Sequence, residues 1–295
     1  MEEALMDCAG KIIRTSIYTF LKHFQFFSTI PILLLLPFSA SFLLSQSLFH
    51  VSGFPLSLQF QSLSPFAFAF PLPFAVSCFL IAKISVIQAL NHQNSSFPPP
   101  FSSFILLYKP LLLTHLCSLI LIIAITSAGF SLLFFPMNSL ETAFWPAVFL
   151  PEAGAVVLYC FLVNASFVSN LALVIAGMDG CAGHAAIHKA FLLRKGKGLI
   201  ALMLFLPTSL GLAAIQALFR YRVIRVYRFS GGISASMAFE GLFIASLFSF
   251  LIVLDTIVCC FFYKSCESTS MQSQFDGVFY DIELVQETKC TEELP

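Results

Sequence analysis

Apolar residues fall along the chain in six long blocks, at about 24–49, 66–90, 111–135, 147–176, 199–219 and 240–263. Each approaches or exceeds the roughly 20 residues that cross a bilayer as helix. Short polar or mixed segments separate them. This pattern predicts an all-α, polytopic helical membrane protein with about six transmembrane helices arranged as three hairpins, joined by interfacial amphipathic helices. A mixed amphipathic segment, 1–23, precedes the membrane domain, 24–263, and a polar tail, 264–295, follows it. The first block starts only at Phe24, behind Lys11, Arg14 and Lys22, a long charged lead for a signal peptide, so it is expected to be an uncleaved first span. Several of the 15 prolines fall inside these blocks, Pro207 among them, which spans tolerate where neighbours satisfy the freed backbone.

Composition agrees with the pattern. Hydrophobic residues make up 58% of the chain and charged ones 10%, far below the roughly 25% charge of an average soluble protein. Net charge is zero, so no global field draws the chain to nucleic acid. An even number of spans puts both termini on one side. With the N-terminus inside, eleven Lys and Arg residues fall on the inner side and four on the outer. That asymmetry predicts cytosolic termini, in an endomembrane or the plasma membrane. None of the nine cysteines lies in the outer connections 50–65, 136–146 or 220–239, so no disulfide framework is expected there.

The four outer cations crowd into one stretch, "FRYRVIRVYRF", 219–229. On a helical wheel Arg222, Arg225 and Arg228 share one arc, facing Val223, Ile224, Val226 and Tyr227, which predicts an amphipathic helix lying in the interface. A re-entrant segment 199–219, interrupted by Pro207 and Gly211, is the alternative, and it would move the arginines inside.

A repeat sits at the inner boundary. The fragments "TFLKH" (19–23), "LLYKP" (106–110) and "LLRKG" (192–196) each place a lysine just ahead of an outgoing span. Lys22, Lys109 and Lys195 are 87 and 86 residues apart, which suggests three tandem hairpins of one orientation. In the third unit Lys189, Arg194, Lys195 and Lys197 form an interfacial basic set able to meet anionic lipid.

Few constellations carry chemistry. His184 and His188 stand one helical turn apart, with Asp179 and Cys181 upstream, as a weak metal candidate. Ala185 occupies the place of the glutamate base in H-E-x-x-H, and the glycines near 177–183 and 196–198 do not spell a phosphate loop. Ionisable groups inside the spans are more informative, because burying one costs a few kcal/mol unless it finds a partner. Counting rise along each helix sets Lys83, Asp255, Asn170 and His115 in one layer of the inner half. Lys83 is expected to pair with Asp255, with Asn170 and His115 nearby; snorkelling of Lys83 to the interface is the alternative.

The "GHAAIHKAFLLRKGKGL" segment (183–199), between two spans of a six-span, Phe-rich chain with basic elbows, resembles a plant family of uncharacterised multi-pass membrane proteins. That family is distantly similar to bacterial membrane proteins and to the membrane domain of some glycerophosphodiester phosphodiesterases. The resemblance rests on the small residue and basic stretch around Ala186, Lys189, Arg194 and Lys195. It implies architecture and brings no catalytic residues; the chain holds no phosphodiesterase catalytic domain.

The expectation is therefore a non-enzymatic multi-pass protein without cofactor, a membrane organiser or trafficking partner. Its partners would be the lipid bilayer, including anionic lipids, and proteins met through the acidic tail. The alternative is a transporter or channel for a small solute or lipid, using the Lys83, Asn170, Asp255 layer.

Overall fold

The computed structural model describes residues 2–51, 71–91, 101–139, 146–230 and 234–292. Nine α-helices and one π-helical turn account for them: α1 (Glu2–Lys22), α2 (Phe24–Val51), α3 (Pro71–Asn91), α4 (Phe101–Ser139), α5 (Pro146–Asp179), α6 (His184–Gly196), α7 (Gly198–Phe219), the π-turn (Arg220–Ile224), α8 (Arg225–Ser230) and α9 (Ala235–Glu292). No strand occurs among the described residues. Helix is the outcome the apolar blocks require, because hydrocarbon offers no partner to an unpaired N–H or C=O.

Among the described residues, six helical stretches are long and apolar enough to cross a membrane: Phe24–Ser45, Pro73–Asn91, Ile105–Gly129, Val156–Asp179, Gly198–Tyr227 and Ala235–Glu267. They pair as three hairpins, α2 with α3, α4 with α5, and α7 with α9. The two partners of each hairpin differ in place. The returning helices α3, α5 and α9 are buried over 67%, 53% and 61% of their most apolar stretch, against 35%, 17% and 28% for the outgoing α2, α4 and α7. Each returning helix touches the other two. The fold is thus a core of three co-directional helices ringed by three more exposed ones.

Small residues set the close approaches. A Cβ on Gly177 of α5 would fall 2.9 Å from Ile87 of α3 and 3.6 Å from Leu111 of α4. Side-chain burial recurs at matching positions of the core helices: Ile84, Leu171 and Thr256 are each about 1% exposed or less. These three are separated by 87 and 85 residues, nearly the spacing of the elbow lysines.

The short helices follow the same rotation. α6 leans on α5, the returning helix of the hairpin before it, and α1 leans on α9, the returning helix of the last hairpin. α1 turns Ala9, Ile12, Ser16 and Thr19 inward at helical spacing, three of the four being small. α6 does the same with Ala186 and Ala190. The third hairpin therefore hands on to the first, closing a pseudo-three-fold ring.

Several boundaries differ from the sequence expectation. Within the expected second span, 66–90, α3 covers the stretch from Pro71, and 66–70 lie outside the described residues. The helices that carry the third and fourth spans open at Phe101 and Pro146, ahead of the expected 111 and 147, and the helix of the fifth continues past 219 through Arg220–Ile224. Arg220 and Arg225 have αR backbone, φ −60° and −61°, so the arginine stretch is a coaxial continuation of α7 and not a separate helix lying flat. Twenty-two residues of α7 rise ~33 Å, which crosses the hydrocarbon and leaves the arginines at headgroup height. The helix runs unbroken through Pro207 and Gly211, where a re-entrant 199–219 would have to turn back. The polar tail continues the last span as helix, α9 running on to Glu292. The stretch 92–100 and the side chain of Arg228 lie outside the described residues.

Candidate functional site

Each core helix contributes one polar side chain to a single chain of hydrogen bonds. Lys83 Nζ of α3 donates to Asn170 Oδ1 of α5 at 2.7 Å. Asn170 Nδ2 then donates to Asp255 Oδ2 of α9 at 2.6 Å. The other carboxylate oxygen, Oδ1, faces Thr208 Oγ1 of α7 at 3.0 Å. That hydroxyl also lies 2.9 Å from the Phe205 carbonyl; it has one proton to give, and the ionised carboxylate is the stronger acceptor. Lys83 and Asp255 are only 2% and 3% exposed.

The expected direct Lys83–Asp255 pair is thus a relay through the Asn170 amide. An amide can accept at one end and donate at the other, which matches a cation on one side and an anion on the other. Snorkelling is overruled because the ammonium is fixed by Asn170 and by the Phe79 ring, 5.0 Å from its centroid. His115 lies beyond that ring, its own centroid 5.5 Å from that of Phe79. It neighbours the chain through Phe79 without joining it.

Around this layer some hydrogen-bonding capacity is unspent. The buried Oγ atoms of Ser118 and Ser169 and Oε1 of Gln88 have no hydrogen-bond partner. Ser169 adjoins Asn170 in sequence. Leu111 meets Gly177 across α4 and α5, and Leu158 meets Gly129, an antiparallel register that brings Ser118 level with Ser169.

A second network ties α6 down. Lys189 Nζ bonds Asp179 Oδ2 at 2.5 Å as an ion pair, and Tyr263 Oη donates to the same carboxylate at 2.8 Å. Lys189 also lies 5.5 Å from the Tyr263 ring centroid. The hydrogen bond to Asp179 holds the Lys189 ammonium above its usual pKa, against a smaller opposing effect of burial. Arg194 Nη2 donates to Asn164 Oδ1 at 2.5 Å. Gly183 opens α6 at φ 62°, ψ −127°, a region that L side chains avoid, and its N–H donates to Thr114 Oγ1 at 2.8 Å. Lys264 Nζ caps α3 by bonding the Leu90 carbonyl at 2.8 Å.

Of the four basic residues expected to face lipid from this segment, Lys189 and Arg194 are therefore held by α5, and Lys195 is exposed. Lys197 is held near Cys266. In the arginine stretch Arg222 is exposed and Arg225 lies over the Tyr221 ring at 5.2 Å. His184 and His188 bring their rings to 6.3 Å on the exposed side of α6. No group of three or more His, Cys, Asp or Glu able to hold a metal ion occurs among the described residues.

Sequence reasoning passed over Thr208, Asn164 and Tyr263. One signal for the core chain was available: Lys83, Asn170 and Asp255 are 87 and 85 residues apart, the period already visible in the elbow lysines.

Three apolar hairpins around a common core, with the buried Lys83 and Asp255 joined in one relay, define a polytopic helical membrane protein in contact with the lipid bilayer. The chain belongs to the family described as Domain of unknown function (DUF8558), whose profile matches residues 84–277. No curated protein matches the chain, and no solved structure does.

Proposed function

We propose that the protein is a non-enzymatic membrane organiser, with both termini in the cytosol, whose bundle anchors a recruiting arm. The observation that carries this reading is α9. It runs unbroken from Ala235 to Glu292, whereas its spanning stretch ends at Glu267. The remaining 25 residues of helix extend ~37 Å. Their sequence alternates acids with hydrophobes in "FDGVFYDIELV", 275–285, a composition suited to docking on a basic or amphipathic partner. The core relay supports the same reading, since both Asp255 oxygens are spent on partners inside the bundle. The resemblance to plant multi-pass proteins is compatible with it and adds no activity.

Truncation after Glu267 tests the proposal. The shortened protein should keep the thermal midpoint of the bundle and lose its co-purifying partners. Recovery of the same partners without the arm would sink the organiser reading.

The second reading, transport of a small solute or lipid, draws on the unspent hydroxyls of Ser118 and Ser169 beside the relay. A solute flux in proteoliposomes that Asp255→Asn abolishes would put this reading first.

A further inference from the structure

The three elbow lysines are equivalent by sequence period, and the structure leaves each exposed near the start of a hairpin. Lys22 ends α1 before α2, Lys195 lies in the last turn of α6 before α7, and Lys109 lies in the third turn of α4, one turn into its apolar stretch. All three are exposed. None is engaged by another side chain among the described residues, in contrast with Lys83, Lys189, Arg194 and Lys264, which are all spent inside the protein. Each also stands one helical turn after a large exposed apolar side chain: Tyr18 at 65%, Ile105 at 65% and Phe191 at 55%. Residues i and i+4 share a helix face, so each unit presents a cation directly beside an uncovered apolar surface. Leu21, Leu106 and Leu192 widen that surface and are exposed as well.

A soluble partner would have to match this arrangement three times around a ring. An anionic phospholipid matches it at every point, with its phosphate on the ammonium and its acyl chain on the apolar turn. The charge distribution of α1 points the same way. Glu2, Glu3 and Asp7 occupy the end far from the first span, and Lys11, Arg14 and Lys22 occupy the end that leads into it.

We propose that Lys22, Lys109 and Lys195 form a girdle of three equivalent headgroup sites, one per hairpin, selective for anionic phospholipid. The girdle stands independently of the organiser and transport readings, because it concerns the lipid that surrounds the bundle in either case.

The test is lipid retention by the full-length protein, carried out by native mass spectrometry after exchange between phosphatidylcholine and phosphatidylserine nanodiscs. The expected result is preferential retention of up to three phosphatidylserine molecules. Loss of one lysine should weaken the preference about fivefold, and K22Q/K109Q/K195Q should lose on the order of a hundredfold. The corresponding triple arginine variant should restore it, since arginine keeps the charge. All three side chains are exposed, so the triple glutamine variant should keep the wild-type thermal midpoint in phosphatidylcholine, which separates lost lipid binding from misfolding. An unchanged preference in the glutamine triple would overturn the proposal. So would equal stabilisation of wild type by inorganic phosphate in phosphatidylcholine discs, which would assign the lysines to a free anion.

Discussion

Lys83 reaches Asn170 at 2.7 Å across 87 residues of sequence, the same interval that separates Lys22 from Lys109. The contact therefore joins equivalent positions of two successive hairpins, and Asp255 supplies the third, 85 residues further on. A position facing the axis of a pseudo-three-fold bundle meets its own equivalents. Three identical polar groups there would repel or leave capacity unspent. Cation, amide and anion are a set that neutralises itself.

Because the charges are buried, removing the middle of the relay should cost more than removing the whole of it. Asn170→Leu leaves an ammonium and a carboxylate without their shared partner, and should destabilise by about 3–5 kcal/mol, the range for breaking a buried pair. The triple Lys83→Met, Asn170→Leu, Asp255→Leu should recover most of that loss. Thermal unfolding in detergent measures both, and a triple no better than Asn170→Leu alone would contradict the relay.

Reversal of the two charges makes a sharper test. An amide can turn end for end, donating where it accepted, and the Thr208 hydroxyl can accept as well as donate. Lys83→Asp combined with Asp255→Lys should therefore fold better than either single reversal. The coupling energy from that double-mutant cycle should be well above the few tenths of a kcal/mol found for independent sites. Additive single effects would show that the two positions do not communicate through Asn170.

Gly183 fixes the entry to α6 by conformation and by space at once. Its φ of 62° is hostile to a side chain, and a Cβ would sit 3.3 Å from Leu113. Gly180 also has positive φ, 70°, but opens on nothing within 4 Å. Gly183→Ala should cost about 1–3 kcal/mol and loosen α6, while Gly180→Ala should cost less. Hydrogen exchange of the α6 amides, compared between the two variants, checks the order.

How much of this was legible in the sequence depends on what sets each feature. Spans were legible because bilayer thickness fixes helix length, and the layer holding Lys83, Asn170 and Asp255 followed from rise per residue alone. Their connection was not, since depth gives height and says nothing of rotation about the helix axis. Thr208 was invisible for a related reason: a threonine in a span usually bonds its own backbone, as Thr114 does to the Pro110 carbonyl, and nothing local marks the one that turns to a carboxylate. The helical continuation past 219 was hidden because charge ends a hydrophobic block without ending a helix. Arg220–Ile224 keeps its backbone paired as a π-turn, so α7 continues regardless of what its side chains prefer. Asn164 could have been suspected as a polar residue in a span, but its partner Arg194 lies on a helix whose tilt only packing decides.

The Lys189–Asp179 pair should matter little at neutral pH and disappear only in strong alkali. The Lys189 pKa is raised in the folded protein above its ordinary 10.5, chiefly by the Asp179 hydrogen bond. A raised folded pKa contributes stability that is complete below the unfolded value and is lost as pH rises through the folded one. The lysine is 46% exposed, so solvent screening holds the contribution to about 1 kcal/mol or less. The difference in thermal midpoint between wild type and Lys189→Met should be constant from about pH 7 to 9 and should begin to shrink only above about pH 10.5. A difference that already falls between pH 6 and 8 would mean that another group carries the docking of α6.

The side of the membrane reached by the arginine stretch is decided by a cysteine placed where the structure leaves room for a reagent. Val223 is a poor choice, because it is packed with Phe219, Met237 and Ile244 and would be silent on either side. Tyr221, one turn before Arg225, is 61% exposed. Tyr221→Cys also removes the ring under Arg225, an exposed contact worth about 0.5–1 kcal/mol, so the fold should survive. With α7 crossing outward from a cytosolic elbow, an impermeant maleimide added to intact cells or sealed right-side-out vesicles should label Tyr221→Cys in a plasma-membrane protein. In sealed microsomes the label should appear only after permeabilisation. The reverse pattern would place Lys22, Lys109 and Lys195 on the non-cytosolic leaflet and with them the α9 arm, overturning the orientation on which the organiser proposal depends.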